Sequence, residues 1–90
     1  FAGGIAVRVA IPEAVDLMLE VVDEMWLISE NEMKRAMTLY YQISDQLLEG
    51  AGAAALAAVL KFSKKVKNKT ICLIASGSNV DEKLKQEVLP

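Results

Sequence analysis

The sequence predicts an α/β fold, namely a fragment of an open, mainly parallel sheet with covering helices. Segments with helical spacing of apolar residues alternate along the chain with short apolar runs, and this alternation is typical of α/β layers. The runs at 25–29 and 70–76 lack a polar face, as do parallel strands that are covered on both sides. Apolar residues alternate at 5–11, which predicts either a third, half-buried strand or an extended loop. Complete sheets usually have about four to six strands, so we expect the remaining strands elsewhere, in a longer protein or in a second copy.

Length and composition favour a single partial domain over residues 1–90. Ninety residues make one domain at most, yet 53% of them are hydrophobic and the mean hydropathy is +0.30. A chain of this size hides only about 60% of its unfolded surface when it folds alone. We therefore expect either a piece of a larger protein or a subunit that buries a face against a partner. No apolar run approaches the ~18 residues of a membrane span, and the start is not that of a signal peptide.

Residue usage excludes several kinds of chemistry. The chain has no histidine and one cysteine, which excludes histidine catalysis and an internal disulfide and argues against a zinc site. Cys72 lies in an apolar run and is expected to be a buried thiol. This cysteine usage weakly favours a cytoplasmic location. The lysines clustered between Lys61 and Lys69 are interpreted as a solvated loop, and no nucleic-acid partner is expected.

Four helices are predicted. The first begins at Pro12 and closes at Asp23–Glu24. The second follows a capping box formed by Ser29 and Glu32. The third is the alanine-rich segment after Gly50, ending near residues 62–63, and the fourth has Asp81 as its N-cap and runs toward Leu89.

Two stretches could carry chemistry. Ser76 and Gly77 follow the apolar run 70–76, and ligands of open α/β sheets bind beyond the carboxyl ends of strands. Gly77 permits close backbone approach to a ligand, but an ordinary turn uses the same residues. Glu49 precedes two glycines and a helix start, which can bind an anion or can simply be a turn with a solvated or capping glutamate. The pair Gly3–Gly4 alone indicates only a turn.

Taken in order, four segments resemble a known family. They are "GGIAV", "VDEMWLISENEMKRAM", "LLEGAGAAALAAVL" and "TICLIASGSNVD". Together they resemble the C-terminal part of the catalytic region of the serine/threonine dehydratases, also called threonine ammonia-lyases. These are fold type II pyridoxal-phosphate enzymes, and serine racemase is a relative. The resemblance implies that residues 1–90 are the C-terminal part of a large cofactor-binding domain.

The resemblance also implies roles for individual residues toward pyridoxal 5'-phosphate. Ser76 matches the family serine whose hydroxyl bonds the pyridine nitrogen, and Glu49 matches a glutamate near the cofactor ring. Gly4 matches a glycine whose backbone lies close to the cofactor. The chain departs from the family at Ser78, where glycine is usual, and at Gly3, where aspartate is usual.

The implied activity belongs to a longer protein. The complete enzyme would convert L-threonine to 2-oxobutanoate and ammonia, and L-serine to pyruvate and ammonia. The family's Schiff-base lysine precedes the matching region, so the ninety residues contain no catalytic residue and are expected to be inactive alone. Two alternatives stay open: a non-catalytic interaction module that self-associates, and a fragment of a sibling such as serine racemase or threonine synthase. A homo-oligomer is expected in each case.

Overall fold

The computed structural model describes all of residues 1–90 and consists of helices joined by irregular segments. A short 3-10 turn at Gly3–Ile5 precedes four α-helices. The helices are α1 (Pro12–Val21), α2 (Glu30–Ser44), α3 (Gly50–Lys61) and α4 (Glu82–Val88). The four predicted helices are therefore confirmed, although α1 ends earlier than expected.

Local sequence explains where the helices begin and end. The capping box before α2 is present, because the Glu32 amide donates to Ser29 Oγ at 3.1 Å and Glu32 Oε1 accepts from the Ser29 amide at 2.7 Å. Asp45 adopts a left-handed conformation with φ 60° and ends α2. Asp81 caps α4 by accepting from the Leu84 amide at 2.8 Å.

The core is small and lies between α2 and α3, with α4 packed on α2. Met37 is the largest fully buried side chain, and Ala53 and Ala57 of α3 pack into the same cluster. The small alanine side chains allow α3 to approach α2 closely. Helix α4 contributes Leu84 and Val88 to this core.

The predicted sheet is absent, so the α/β fold class is wrong for this structure. Residues 5–11, 25–29 and 70–76 contain no strand, and no backbone hydrogen bond joins these segments. A strand is stabilised only by bonds to a neighbouring strand, and the three apolar runs do not pair with one another. Most of their side chains are exposed as a result, reaching 84% for Leu27, although Ile28 packs against the core.

The loss of the sheet also overturns the prediction for Cys72, whose thiol is exposed. Helix α1 contributes no buried residue, although its apolar spacing predicts a packed face. The whole chain exposes 7011 Å², whereas a folded monomer of 9.8 kDa exposes roughly 5,200 Å². Its radius of gyration is 14.1 Å, against about 12 Å for a compact domain of this length. About 1,800 Å² more surface is therefore exposed than such a domain leaves uncovered.

Candidate cofactor site at the start of α3

The start of α3 is the point at which the predicted site residues meet. Glu49 is the N-cap residue of this helix, and its side chain makes no capping hydrogen bond. Its amide instead donates to the carbonyl of Gly77 at 3.1 Å. This bond ties the turn that contains Ser76 and Gly77, here called the Ser76–Gly77 turn, to the beginning of the helix.

Close packing brings the Glu49 side chain and Gly77 together. Gly77 has φ +73°, a left-handed conformation that glycine adopts without steric cost. A Cβ atom added to Gly77 would overlap with Glu49 Oε1 and would lie 2.7 Å from the carboxyl carbon. The carboxylate of Glu49 therefore lies directly against the turn.

Gly4 approaches the same helix from the N-terminal segment. A Cβ atom at Gly4 would lie 3.0 Å from the Cβ of Ala51, so the turn at Gly3–Ile5 packs on the first turn of α3. The structure thus brings Gly4, Glu49 and the Ser76–Gly77 turn to one end of one helix. Their roles toward a cofactor stay predictions of the sequence.

Ser76 presents an exposed hydroxyl at this site. The residue is exposed, and its Oγ takes part in none of the side-chain hydrogen bonds of the protein. A hydroxyl can donate one hydrogen bond and accept two. Ser76 is therefore able to bond a heteroaromatic nitrogen without losing any contact within the protein.

The helix start adds polarity to the site. None of the backbone N–H groups of Gly50, Ala51 and Gly52 has a hydrogen-bond partner within the protein, as is usual for the first turn of a helix. These groups carry the positive end of the helix dipole. The site consequently combines a neutral hydroxyl, one carboxylate and a helix start.

The segment that leads to Ser76 packs loosely on the core. A cavity of about 220 Å³ separates Leu73, Ile74 and Ala75 from α2 and α3. Its lining is almost entirely apolar and includes no charged side chain, so this cavity offers no chemistry of its own.

Three contacts outside the site have no counterpart in the sequence analysis. The rings of Trp26 and Phe62 lie 5.0 Å apart. The clustered lysines are partly paired, with Lys61 Nζ 3.2 Å from Glu32 Oε1 and Lys65 Nζ 3.3 Å from Glu24 Oε1. The hydrogen bonds from Trp26 and Lys65, and then the charge of Lys65, lower the pKa of Glu24. These contacts fasten the 62–69 segment and lie outside the predicted site.

A comparison with known protein families identifies the family of the chain. The family described as pyridoxal-phosphate dependent enzyme matches residues 1–77. The chain belongs to this family. Its cofactor is pyridoxal phosphate, and the match extends through Glu49 and the Ser76–Gly77 turn.

Several curated relatives are dehydratases. The chain is 37% identical over 68 residues to the catabolic L-threonine dehydratase TdcB of Escherichia coli strain K12, covering 73% of this chain and 21% of that protein. It is 36% identical over 80 residues to the L-threonine ammonia-lyase of Thermotoga maritima, covering 89% and 20%. It is 36% identical over 83 residues to the L-threonine ammonia-lyase of Geobacter sulfurreducens, covering 91% and 20%.

The chain spans about a fifth of the length of these relatives. No solved structure matches it. None of its helices has both the length and the apolar character that crossing a membrane requires.

The residues at the start of α3 fit one part of pyridoxal phosphate. The exposed hydroxyl of Ser76 suits the pyridine nitrogen, because a neutral group can bond that atom in either protonation state. The hydroxyl is therefore chemically suited to the pyridine nitrogen, and its role there stays a prediction of the sequence.

Proposed function

We propose that the chain is the C-terminal part of the large pyridoxal-phosphate-binding domain of a serine/threonine dehydratase. The similarity to two named L-threonine ammonia-lyases, each over about nine tenths of this chain, supports the proposal. The observation that carries it is the exposed, unbonded hydroxyl of Ser76 beside the start of α3, where Glu49 is the N-cap residue. The complete enzyme would act in the cytoplasm, as the cysteine usage predicts.

The proposed reaction eliminates water from the substrate, and a later hydrolysis consumes one water molecule. L-Threonine loses its α-proton and its β-hydroxyl, and hydrolysis of the released enamine gives 2-oxobutanoate and ammonia. L-Serine would give pyruvate and ammonia by the same sequence. When bound, pyridoxal phosphate supplies the electron sink that makes the α-proton acidic.

In this proposal the Ser76 hydroxyl sets how strongly the ring draws electrons. A carboxylate at this position would hold a proton on the pyridine nitrogen, whereas a hydroxyl does not enforce that state. The weaker electron sink favours β-elimination over deeper carbanion chemistry. Glu49 and Gly4 shape the surface beside the ring, and Gly77 allows the chain to approach it closely.

We further propose that the ninety residues have no dehydratase activity alone. The resemblance implies that the family's Schiff-base lysine precedes the matching region, and covalent catalysis requires that amine. The large exposed surface of the chain supports a place within a bigger domain. The rest of such a domain would cover the apolar segments that have no partner here.

A chimera tests this function. The matched segment of the Thermotoga maritima L-threonine ammonia-lyase would be replaced by this chain, and formation of 2-oxobutanoate from L-threonine would be measured with added pyridoxal phosphate. We expect activity in the chimera and none in the isolated chain. A folded chimera that binds the cofactor but forms no 2-oxo acid from threonine or serine would contradict the dehydratase assignment and favour a sibling enzyme.

Ser76 is tested within the same chimera. Ser76→Ala removes one hydrogen bond, and a typical net hydrogen bond corresponds to about a threefold to tenfold change in cofactor affinity. Ser78→Ala is the matched control, because it removes an exposed hydroxyl two residues further along the same turn. Equal effects of the two substitutions on cofactor affinity would remove Ser76 from its proposed role.

A further inference from the structure

The Ser76–Gly77 turn is held by α3 at two consecutive carbonyl groups. The Gly77 carbonyl accepts the hydrogen bond from the Glu49 amide at 3.1 Å. The Ser76 carbonyl lies against the Cα of Gly52, the third residue of the helix. A Cβ there would overlap with the Ser76 oxygen and would lie 2.7 Å from its carbonyl carbon. The Gly77 oxygen would be 3.1 Å from the same Cβ.

Gly52 differs from the other glycines of this region in what it touches. A Cβ at Gly50 would meet mainly the ring of Phe1, a side chain that can rotate away, and a Cβ at Gly3 would meet nothing within 4 Å. At Gly52 the obstructing atoms belong to the backbone, so only a shift of the turn can relieve the overlap. Glycine is also unfavourable inside a helix, and this close approach accounts for its presence there.

Polarity stabilises the same contact. The Ser76 oxygen carries partial negative charge and faces the first turn of α3, where the helix dipole is positive. The Gly77 carbonyl is hydrogen-bonded to Glu49, and the Ser76 carbonyl lies against Gly52. The backbone of Ser76 therefore has little freedom to rotate. That backbone sets the direction of the Cα–Cβ bond of Ser76, and with it the region that the hydroxyl can reach.

We propose that Gly52 is a positioning residue for the Ser76 hydroxyl. It acts by leaving the space in which the Ser76 carbonyl lies, and any larger residue displaces the turn. The inference rests on the proposed function, because the hydroxyl has a target only if the pyridine ring binds beside it. Its two parts, the coupling of Gly52 to the turn and the effect on the cofactor, are tested separately.

The first experiment uses the ninety-residue chain without cofactor. Hydrogen exchange of the Glu49 amide and the NMR shifts of residues 76–78 would be measured in wild type, Gly52→Ala and Gly3→Ala. We expect Gly52→Ala, but not Gly3→Ala, to speed exchange of the Glu49 amide by about tenfold or more, because the hydrogen bond from this amide to Gly77 would open more easily. Unchanged exchange and shifts would overturn the coupling. Loss of protection at Met37, in the core, would also overturn it, because Gly52 would then serve the core and not the turn.

The second experiment is a double-mutant cycle for cofactor affinity in the Thermotoga maritima chimera. If Gly52 acts through the Ser76 hydroxyl, Gly52→Ala and Ser76→Ala each weaken cofactor binding about threefold to tenfold. The double variant should then bind the cofactor as tightly as the single variant with the lower affinity. Both variants should shift the absorbance of the bound cofactor in the same direction. Effects that multiply would overturn the positioning role.

The two experiments separate this inference from the proposed function. If Ser76→Ala leaves cofactor affinity and absorbance unchanged while Gly52→Ala still speeds Glu49 exchange, the proposed role of Ser76 is overturned and the coupling stands. If Ser76→Ala weakens binding while Gly52→Ala does not, the proposed function stands and Gly52 is not a positioning residue.

Discussion

Glycine has distinct uses at the residue scale in this chain. Gly77 supplies a backbone conformation that other residues adopt at a cost, since its φ is +73°. Gly52 has an ordinary helical conformation and instead supplies space for a carbonyl group. The sequence alone indicates only that both positions are small.

Gly77→Ala should destabilise the folded chain by about 1–2 kcal/mol, which is the approximate cost of a left-handed conformation for an L-residue. The added Cβ also displaces the Glu49 carboxylate, with which it would overlap. Urea unfolding would measure the change. Gly3→Ala is the control and should stay within about 0.5 kcal/mol of wild type, because its Cβ points into open space. A Gly77→Ala variant as stable as wild type would show that the turn is not part of the folded unit.

At the element scale, α4 is held on α2 by contacts of several kinds. Leu84 and Val88 are buried in the core, and Thr38 Oγ1 donates to the Val88 carbonyl at 2.6 Å. At the surface Lys34 Nζ lies 2.7 Å from Glu87 Oε2. The ion pair adds a pH-dependent part to an attachment that otherwise consists of apolar packing and one hydrogen bond.

The Glu87 pair predicts how stability changes with pH. The hydrogen bond from Lys34, and then its charge, lower the pKa of Glu87 below 4.5. A carboxylate with a lowered folded pKa stabilises the fold above its unfolded pKa and loses that contribution as the pH falls through the folded value. The pKa of Lys34 is raised above 10.5, first by the bond to Glu87, so its contribution is present below 10.5 and is lost as the pH rises further.

We therefore expect Glu87→Gln to lower the urea midpoint at pH 7 and to match wild type once the pH has fallen well below 4.5. Glu20→Gln on α1, where the glutamate has no ion pair, is the control and should follow wild type throughout. If the difference in urea midpoint between Glu87→Gln and wild type stays unchanged at acidic pH, the effect is due to packing and not to charge.

The elements also show what the sequence could predict. Helices were predicted correctly because their hydrogen bonds and caps join residues three or four positions apart, as Ser29 and Glu32 do. The predicted strands were wrong because the hydrogen bonds of a strand depend on a neighbouring segment. Residues 70–76 make no such backbone hydrogen bonds here. The residue types of the Ser76–Gly77 turn were visible in the sequence. Its closure onto Gly52 was not, because that contact joins residues 24 positions apart.

At the scale of the whole molecule, exposed apolar surface is the dominant property. The excess of about 1,800 Å² over a compact monomer exceeds the roughly 800 Å² that each partner buries in a standard interface. Much of it comes from α1 and from the unpaired apolar runs, with Leu19 at 78% and Ile74 at 78% exposed. A surface of this size is covered either by the rest of a larger enzyme or by a second copy of the chain.

The isolated chain should therefore self-associate, and sedimentation at increasing concentration should give an average mass above 9.8 kDa. Leu19→Lys removes one exposed apolar side chain from α1 and should weaken association. Glu20→Lys is the matched control, because it changes the charge at the next position without removing apolar surface and should leave association closer to wild type. Within the chimera, where we expect the remaining enzyme to cover α1, the same Leu19→Lys should instead lower stability or cofactor binding. A monomeric wild-type chain, or equal effects of the two lysine substitutions, would contradict the view that this apolar surface needs a partner.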